Sequence, residues 1–392
     1  MRRLNVHLVA AARPNFMKIA PLYHALSGEA WCRPCIVHTG QHYDANMSDA
    51  FFRDLRLPEP DHHLSVGSGT HAEQTGGVMI AYEKVALQER PDWIVVVGDV
   101  NSTAACAMVG AKLGIPVVHL EAGLRSGDRT MPEEINRLVT DAISDVLWTP
   151  SPDADENLAR EGIAADKIDR VGNIMIDSFE MMRPAIEADG TRARLGVEGR
   201  DYAVVTLHRP SNVDRRETLE PIVEQIVDVA QRLPLVFAVH PRTRRKLEEF
   251  GLMARLQPGA ANGSGGPAIT LTEPLGYVQF MNLVSRATAV ITDSGGVQEE
   301  STYLGIPCLT LRENTERPIT VSQGSNRLVR PAQLAEQVAE AVAGRWPTGR
   351  RPALWDGRTA RRCVERLRTR AGLGPEIPVA VLRAPVVGVG YR

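Results

Sequence analysis

Short apolar runs alternate with longer amphipathic stretches along the first half of the chain. The runs are rich in β-branched side chains, which is typical of buried strands, and the stretches between them carry apolar residues at helical spacing. Predicted strands lie at residues 4–10, 35–39, 93–99, 116–121, 146–149 and 168–171, and predicted helices at residues 15–26, 72–87, 102–113, 133–143 and 153–161. Strands that alternate with helices in this way indicate a doubly wound parallel sheet.

The second half of the chain repeats this alternation. Predicted strands lie at residues 203–208, 235–240, 269–272, 289–293 and 307–311, and predicted helices at residues 216–231, 277–285, 297–303 and 331–343. A chain of 392 residues is long enough to bury two cores. A helical stretch at 178–187 gives way to polar, glycine-containing sequence before residue 199, which is typical of a domain boundary. We therefore predict two similar α/β domains, residues 1–178 and 179–358.

Several predicted strands end in an ionisable residue. The third strand of the first half ends at Asp99, the fourth at Glu121, and the first strand of the second half at His208. Because ligands of open parallel sheets bind beyond the carboxyl ends of the strands, these side chains are expected to converge on one cleft. Acids and bases gathered around a cleft indicate proton-transfer chemistry. For His208, a hydrogen-bonded core histidine is the alternative interpretation.

A second acidic pair follows Glu121 after a short loop. Glu133 and Glu134 come directly after Pro132, the favoured first residue of a helix, and acidic residues there complement the helix dipole. This structural role accounts for at least one of the two. The same dipole keeps a carboxylate ionised and able to act as a base, so Glu133 is a candidate for both roles.

A turn of small residues, Ser294-Gly295-Gly296, joins a buried strand to a helix. Free amides at a helix N-terminus bind phosphate, and glycines let the backbone approach closely, so the turn is a candidate pyrophosphate site. A plain helix cap is the alternative. Glu300 lies six residues past Ser294 and can accept two hydrogen bonds from a ribose hydroxyl pair, or else it lies on a solvated helix face.

Basic residues follow strands in both halves. Arg312 and Arg317 come after the strand at 307–311, where they either bind the same anion as the glycine turn or pair with surface acids. Arg13 and Lys18 join the first strand to the first helix and bring two cations to that edge of the sheet. An exposed arginine at a helix start is common, so spacing alone leaves the role of Arg13 open.

Composition and charge exclude several classes of function. The formal net charge is −2 at pH 7, which argues against nucleic acid as the main partner. No apolar run approaches the roughly 20 residues that span a bilayer, and the short apolar segment after Arg3 resembles a first strand more than a signal peptide, so we expect a cytoplasmic protein without a membrane partner.

Cys32 and Cys35 have no partner pair and are interpreted as ordinary cysteines. Gly67-Ser68-Gly69 does not follow the first strong strand, which disfavours a nicotinamide site.

Ordered segments across most of the chain match one known family. They are residues 12–21 (ARPNFMKIAP), 39–44 (TGQHYD), 97–99 (VGD), 119–125 (HLEAGLR), 132–137 (PEEINR), 206–209 (TLHR), 292–296 (TDSGG) with Glu300, and 315–318 (TERP). Together they closely resemble the UDP-N-acetylglucosamine 2-epimerase family. The match runs in order from about Arg13 to about Arg317.

This resemblance implies a glycosyltransferase-B-like fold, in which two Rossmann-like doubly wound domains face a central cleft. It also implies a homodimer, and a C-terminal helix in the region 359–392, near residues 359–370, that crosses back to the first domain. The acid and base residues of the family fall on Asp99, Glu121, Glu133 and His208. Its nucleotide contacts fall on Arg13, Lys18, Ser294, Gly295, Gly296, Glu300 and Arg317, with the uracil near Leu275 and Tyr277. No metal and no other cofactor are expected.

The reaction implied by the resemblance is inversion at C2 of UDP-N-acetylglucosamine or a close derivative, through loss and re-addition of UDP. A hydrolysing 2-epimerase and a glycosyltransferase on the same fold are the alternatives. Two departures limit what carries over. Asp44 stands where activator-binding members have Gln, and Ala11-Ala12 precede Arg13 where many relatives have Gly-Thr. The tail at 375–392 has no period that predicts an element.

Overall fold

Seven parallel strands form the sheet of the first half in this computed structural model, which describes residues 2–40, 52, 55–257 and 268–374. The strands are β1 Leu4–Ala10, β2 Cys32–His38, β3 His62–His63, β4 Trp93–Val97, β5 Val117–Leu120, β6 Val146–Thr149 and β7 Ile168–Arg170. Their order is β3-β2-β1-β4-β5-β6-β7. The helices are α1 Arg13–Ser27, α2 His71–Glu89, α3 Asn101–Leu113, α4 Pro132–Ile143, α5 Pro152–Arg160 and α6 Ile174–Ala188, with a 3₁₀ turn at Ala165–Lys167.

The second half contains a smaller parallel sheet. Its strands are β8 Ala203–Thr206, β9 Leu235–Ala238, β10 Ile269–Thr272, β11 Ala289–Thr292, β12 Cys308–Thr310 and β13 Asn326–Leu328, in the order β10-β9-β8-β11-β12-β13. The helices are α7 Thr191–Arg194, α8 Pro210–Val213, α9 Arg216–Ala230, α10 Pro241–Glu249, α11 Tyr277–Val284, α12 Gly295–Leu304, α13 Pro318–Ser322, α14 Leu334–Val342 and α15 Thr359–Arg370, with 3₁₀ turns at Met253–Leu256 and Pro331–Gln333.

The strand order reverses once in each sheet. The reversal lies between β1 and β4 in the first sheet and between β8 and β11 in the second. The loops that leave these four strands begin at Ala11, Gly98, Leu207 and Asp293. Ligands of doubly wound sheets bind at such switch points, so the topology itself directs attention to these loops.

The central strands are buried on both faces, which explains their nearly continuous apolar sequence. Along β4, Val95 and Val97 face one apolar cluster and Ile94 and Val96 face another. The first cluster continues into the second half of the chain, where it includes Val204 of β8. The two halves therefore share part of one core.

Helix α6 connects the halves. It packs on α1 of the first half, on α11 and α12 of the second, and on the last helix, α15, which itself packs on α1. Asp177 of α6 accepts hydrogen bonds from the backbone N–H groups of Thr359 (3.1 Å) and Ala360 (2.8 Å), and so caps the start of α15. The predicted domain division at 178/179 lies inside α6 and stays a prediction.

Some elements differ from the predicted ones where their sequence lacks a strong period. Helix α10 is too polar to show an apolar face, and it begins because the His240 ring accepts a hydrogen bond from the Arg242 backbone N–H (3.2 Å). The predicted helix at 331–343 is a 3₁₀ turn followed by α14. Strand β2 begins at Cys32, and burial raises the pKa of both Cys32 and Cys35 to about 12, which fits inert thiols.

Three sequence features lie wholly or partly outside the described residues. They are the Gln41 to Asp44 segment, the tail at 375–392, and the part of the predicted C-terminal helix region beyond residue 374. Within the described part of that region, α15 ends at Arg370.

Candidate active site

The loops after β4 and β5 both turn through the left-handed backbone region. Gly98 has a φ of 70° and Glu121 a φ of 74°. A Cβ atom on Gly98 would lie 3.3 Å from Lys18 Nζ and 3.5 Å from Glu121 Oε2, so glycine makes room for this pair. Glu121 has a side chain that disfavours a positive φ, and a non-glycine residue held in the left-handed backbone region is typical of functional sites. The two turns bring Asp99 and Glu121 to neighbouring positions at the sheet edge.

Glu121 lies between two cations. Its Oε2 forms a short ion pair with Lys18 Nζ, and its Oε1 lies 3.3 Å from Arg317 Nη2 of the second half. Burial of Glu121 favours the neutral acid, but Lys18 and Arg317 outweigh this effect and hold the pKa of Glu121 below its ordinary value. The side chain is therefore ionised near neutral pH. This contact joins the loop after β5 of the first half to the segment after β12 of the second.

The acidic pair at the start of α4 divides into two roles. Glu134 is buried and accepts hydrogen bonds from the backbone N–H groups of Ser126 (3.0 Å) and Gly127 (2.9 Å), so it fixes the preceding loop. Its Oε2 also lies 2.7 Å from Arg137 Nη2. Glu133, in contrast, is half-buried on the wall of a cleft of about 910 Å³ between the halves.

Arg137 connects this acidic pair to Asp99. Its Nη1 lies 2.5 Å from Asp99 Oδ2, while the Asp99 side chain remains 33% exposed. Arg137 was not among the residues predicted from the sequence, although its i,i+3 spacing from Glu134 is a usable signal. The guanidinium group thus orients a partly accessible carboxylate.

His208 is held by a buried carboxylate. Asp293, at the end of β11, accepts hydrogen bonds from the backbone N–H groups of His208 (3.1 Å) and Arg209 (2.9 Å), and its Oδ1 lies 3.1 Å from His208 Nδ1. Burial opposes ionisation of Asp293, but these partners lower its pKa overall. The His208 Nε2 atom makes no hydrogen bond to any described residue, and its side chain is 37% exposed. A core-histidine interpretation therefore fails for His208.

The glycine turn packs directly against Arg317. A Cβ atom on Gly295 would lie 2.5 Å from Arg317 Nη1 and would displace the guanidinium group, while Gly296 has open space around it. Ser294 occupies the N-cap position of α12, but its side chain makes no capping hydrogen bond. The Ser294 hydroxyl is therefore available to another partner.

Arg317 is surrounded by carboxylates. Its Nε lies 2.9 Å from Glu299 and its Nη1 lies 2.5 Å from Glu316, in addition to the Glu121 contact. Glu316 also lies 2.8 Å from Arg312, so Arg312 forms a buried ion pair with Glu316 and not a surface ion pair. Burial favours the neutral form of Arg317, but the neighbouring carboxylates raise its pKa, and the cation is fixed in place. Glu299 and Glu316 were not among the residues predicted from the sequence, because they act only through Arg317.

Glu300 lies inside the molecule and does not face solvent, so the solvated-face alternative is wrong. Burial raises the pKa of Glu300 to about 8, even though the Tyr277 hydroxyl donates a hydrogen bond to its Oε1 at 2.7 Å. Leu275 and Tyr277 are half-buried and pack against the core beside it. Arg13 is the exposed first residue of α1.

The site residues thus converge from both halves. Gly295 contacts Arg317, Arg317 contacts Glu121, and the negative charge of Asp99 contributes to the raised pKa of Arg317. The negative charge of Glu133 likewise acts to raise the pKa of Arg209, the residue after His208. Burial outweighs this effect, so the pKa of Arg209 is lowered overall. Within residues 2–40, 52, 55–257 and 268–374, no three His, Cys, Asp or Glu side chains are grouped to hold a metal ion, and no helix is both long and apolar enough to cross a membrane.

A statistical model of the UDP-N-acetylglucosamine 2-epimerase family matches residues 24–368 of this chain. The chain belongs to that family. The epimerase is 45% identical over 333 residues to the UDP-N-acetylglucosamine 2-epimerase of Methanocaldococcus jannaschii, a match that covers 83% of this chain and 88% of the relative. It is 39% identical over 334 residues to the UDP-2,3-diacetamido-2,3-dideoxy-D-glucuronate 2-epimerase of Pseudomonas aeruginosa, which covers 84% of this chain and 89% of the relative.

A solved structure matches most of the epimerase as well. The crystal structure of the M. jannaschii UDP-GlcNAc 2-epimerase in complex with UDP-GlcNAc and UDP has a TM-score of 0.82 at 42% identity, over 93% of this chain and 100% of that chain. The predicted family and the predicted fold of two facing Rossmann-like domains are confirmed by these matches and by the two parallel sheets.

Proposed function

We propose that this epimerase inverts C2 of UDP-N-acetylglucosamine, or of a close derivative, by eliminating UDP and adding it back. The observation that carries the proposal is the contact of Glu121 with Arg317, which joins an ionised carboxylate of one half to a fixed cation beside the glycine turn of the other. The P. aeruginosa relative is named for a diacetamido-glucuronate sugar, so a modified sugar is within the proposed substrate class.

The proposed reaction starts with loss of the proton at C2. A carboxylate takes this proton, the electrons of the C2–H bond form a C1=C2 double bond, and the C1–O bond breaks with its electrons on the UDP oxygen. The intermediate is a glycal with UDP held beside it. Re-addition of UDP to C1, with proton delivery to the opposite face of C2, gives the inverted sugar. Because a C2 proton is only weakly acidic, stabilising the departing diphosphate must share the barrier.

We assign the departing diphosphate to the second half of the site. The free N–H groups at the start of α12, which begins at Gly295, and the Arg317 guanidinium supply positive charge where the leaving oxygen gains negative charge. His208 is oriented by Asp293 with Nε2 available, so it is assigned to the same phosphate. Arg13 and Lys18 of the first half would add two positive charges around the diphosphate.

We assign proton transfer at C2 to the first half. Asp99 and Glu121 are the proposed carboxylates nearest C2, and Glu133 on the cleft wall orients the sugar or carries a proton. The environments of Asp99 and Glu121 differ, because Asp99 is one-third exposed and Glu121 is enclosed by two cations. Two carboxylates in different environments suit opposite roles on the two faces of C2.

The nucleoside end is assigned to the pocket around Glu300. A glutamate there accepts hydrogen bonds from the ribose hydroxyls, and the uracil lies near Leu275 and Tyr277. Support comes from the burial of Glu300 directly behind the glycine turn, on the same helix.

We also propose that the epimerase is a cytoplasmic homodimer. Ile80 and Leu87 lie seven residues apart on α2 and are 63% and 51% exposed, which favours an apolar contact surface on this helix. All five cysteines are free and buried, as expected in a reducing compartment. Sedimentation at micromolar protein concentration tests the dimer, and a single monomeric species would contradict it.

Incubation with UDP-N-acetylglucosamine in heavy water tests the reaction. We expect deuterium at C2 of retained nucleotide sugar, together with the manno epimer. Asp99→Asn and Glu121→Gln are expected to abolish both, while exposed Glu83→Gln retains them. Free N-acetylmannosamine with UDP would instead indicate the hydrolysing reaction, and UDP release only with an added acceptor would indicate glycosyl transfer.

A further inference from the structure

His119 is a fully buried histidine directly behind the candidate site. It lies on β5, two residues before Glu121, with no solvent-exposed surface. Its Nε2 lies 2.8 Å from the carbonyl oxygen of Gly98, and its Nδ1 lies 2.6 Å from Asp141 Oδ1 on α4. Both ring nitrogens therefore have close oxygen partners, and neither partner is a residue assigned to the substrate.

The partners of His119 decide its charge. A backbone carbonyl accepts hydrogen bonds and cannot donate one. Asp141 also accepts hydrogen bonds, from the Gly123 backbone N–H (3.1 Å), and it lies 2.7 Å from Arg125 Nη1. Burial opposes ionisation of Asp141, but His119 and Arg125 hold its pKa below the ordinary value. With two acceptor-only neighbours, the His119 ring needs a proton on each nitrogen.

We propose that His119 is a positioning residue that donates from both ring nitrogens, and so fixes the Gly98–Asp99 turn and holds a positive charge behind Glu121. The proposal rests on the proposed function, since the two carboxylates matter only if they act at C2. His119 touches no substrate and acts through its neighbours.

The positioning part of this role follows from the backbone. The Gly98 carbonyl belongs to the peptide that leads into Asp99, and Gly98 has a left-handed φ of 70°. A buried N–H donor on that carbonyl holds the peptide plane in one orientation. The direction of the Asp99 side chain depends on this plane, so the hydrogen bond fixes the carboxylate relative to C2.

The electrostatic part follows from the charges around the ring. Asp141 faces it from α4, Arg125 approaches Asp141 from the loop after β5 and pairs with Glu161 (2.7 Å), and Glu121 follows on the same strand. Burial favours neutral Glu121, and Lys18 and Arg317 are the main causes that lower its pKa, with His119 adding to them. A cation at His119 thus helps to keep Glu121 ionised without occupying the substrate side.

The charge is tested directly by nuclear magnetic resonance of the intact protein labelled with ¹⁵N-histidine. We expect one ring with protons on both nitrogens at pH 8, absent from the spectrum of His119→Gln. A neutral ring at this pH, with a single protonated nitrogen, would overturn the proposal, because it would mean that Asp141 carries the proton. This measurement does not depend on turnover. Failure of the wild-type protein to epimerise UDP-N-acetylglucosamine would therefore refute the proposed function alone.

Two substitutions separate the positioning part from the electrostatic part. His119→Asn keeps a donor near Asp141 but cannot reach the Gly98 carbonyl, so kcat is expected to fall about 10²-fold while KM changes by less than about threefold. His119→Gln keeps a donor toward Gly98 but no charge, so the acid limb of its kcat/KM profile is expected to move to higher pH with a smaller loss of kcat.

His7 provides the matched control. It is also buried, on β1, which β4 separates from the His119 strand β5. Its ring lies 3.1 Å from the Tyr82 hydroxyl. His7→Gln is expected to leave the pH profile unchanged. Folded His119→Asn and His119→Gln variants with wild-type kcat and a wild-type pH profile would overturn the positioning role.

Discussion

The buried Glu300 makes the stability of the epimerase depend on pH in a defined direction. Its pKa is about 8 in the folded protein against an ordinary value of 4.5, because burial favours the neutral acid. Between these values the folded state binds a proton that the unfolded state releases. The contribution of Glu300 is therefore complete below pH 4.5 and is lost as the pH rises through 8. At about 1.4 kcal/mol per pH unit, the difference of about 3.5 units sets an upper limit near 5 kcal/mol.

Glu300→Gln isolates this effect. The glutamine carbonyl can still accept the hydrogen bond that Tyr277 donates at 2.7 Å, but the side chain no longer ionises. The melting temperature of the wild type is expected to fall relative to that of Glu300→Gln between pH 5 and pH 8, by about 1 °C for each 1 kcal/mol. Glu83→Gln on the exposed face of α2 serves as the control and should follow the wild type.

The assay is thermal unfolding of the three proteins at pH 5, 6.5 and 8, followed by circular dichroism. Parallel melting curves of the wild type and Glu300→Gln across this range would refute the reasoning, because Glu300 would then ionise equally in both states. At pH 9, where the wild-type Glu300 is ionised, the same variant is expected to bind UDP about tenfold more weakly, since its amide replaces one acceptor oxygen with donors at the proposed ribose contact. Isothermal titration calorimetry measures that change.

Substitutions around Arg317 and at the junction of the halves give three more predictions. Arg317→Met is expected to lower turnover about 10²-fold or more and to weaken UDP binding, because it removes the fixed cation; unchanged UDP affinity in calorimetry would contradict its assignment. Gly295→Ala is expected to lower the melting temperature of the unliganded protein, since the new Cβ would lie 2.5 Å from Arg317 Nη1, whereas Gly296→Ala meets open space and should not. Tyr303→Phe removes a hydrogen bond from the phenol to Glu180 between the halves and is expected to cost about 1.5–3 kcal/mol in urea unfolding; equal midpoints would show that the contact adds nothing.

The parts of the site that follow from topology could be predicted from the sequence. Asp99, Glu121 and His208 each follow a strongly apolar strand, and parallel strands of a doubly wound sheet end at one edge. The glycine turn after β11 is predictable for the same reason, because it follows a buried parallel strand. The order of strands and helices is encoded locally, in hydrophobic period and turn residues, so it is visible without the tertiary structure.

The parts that depend on distant partners could not be predicted in this way. Lys18 and Glu121 are 103 residues apart in sequence, and no local pattern indicates that they form an ion pair. The sequence pattern predicts only that a strand ends at Asp293. In the fold, Asp293 accepts a hydrogen bond from the backbone N–H of His208, 85 residues away in sequence. The left-handed backbone of Glu121 is likewise set by its surroundings, because the residue type itself disfavours it.

The capping of α15 by Asp177 has a consequence for synthesis on the ribosome. Cys363, Val364 and Leu367 of this last described helix are buried in the same apolar cluster as the first strand, so the earliest segments to emerge lack part of their partner surface until residue 370 has left the exit tunnel. Until then, the apolar surface that α15 covers stays exposed on the nascent first half. A stop codon before residue 359 would leave this surface exposed permanently. Premature termination there is expected to yield a chaperone-bound or aggregated product in place of a truncated but folded one.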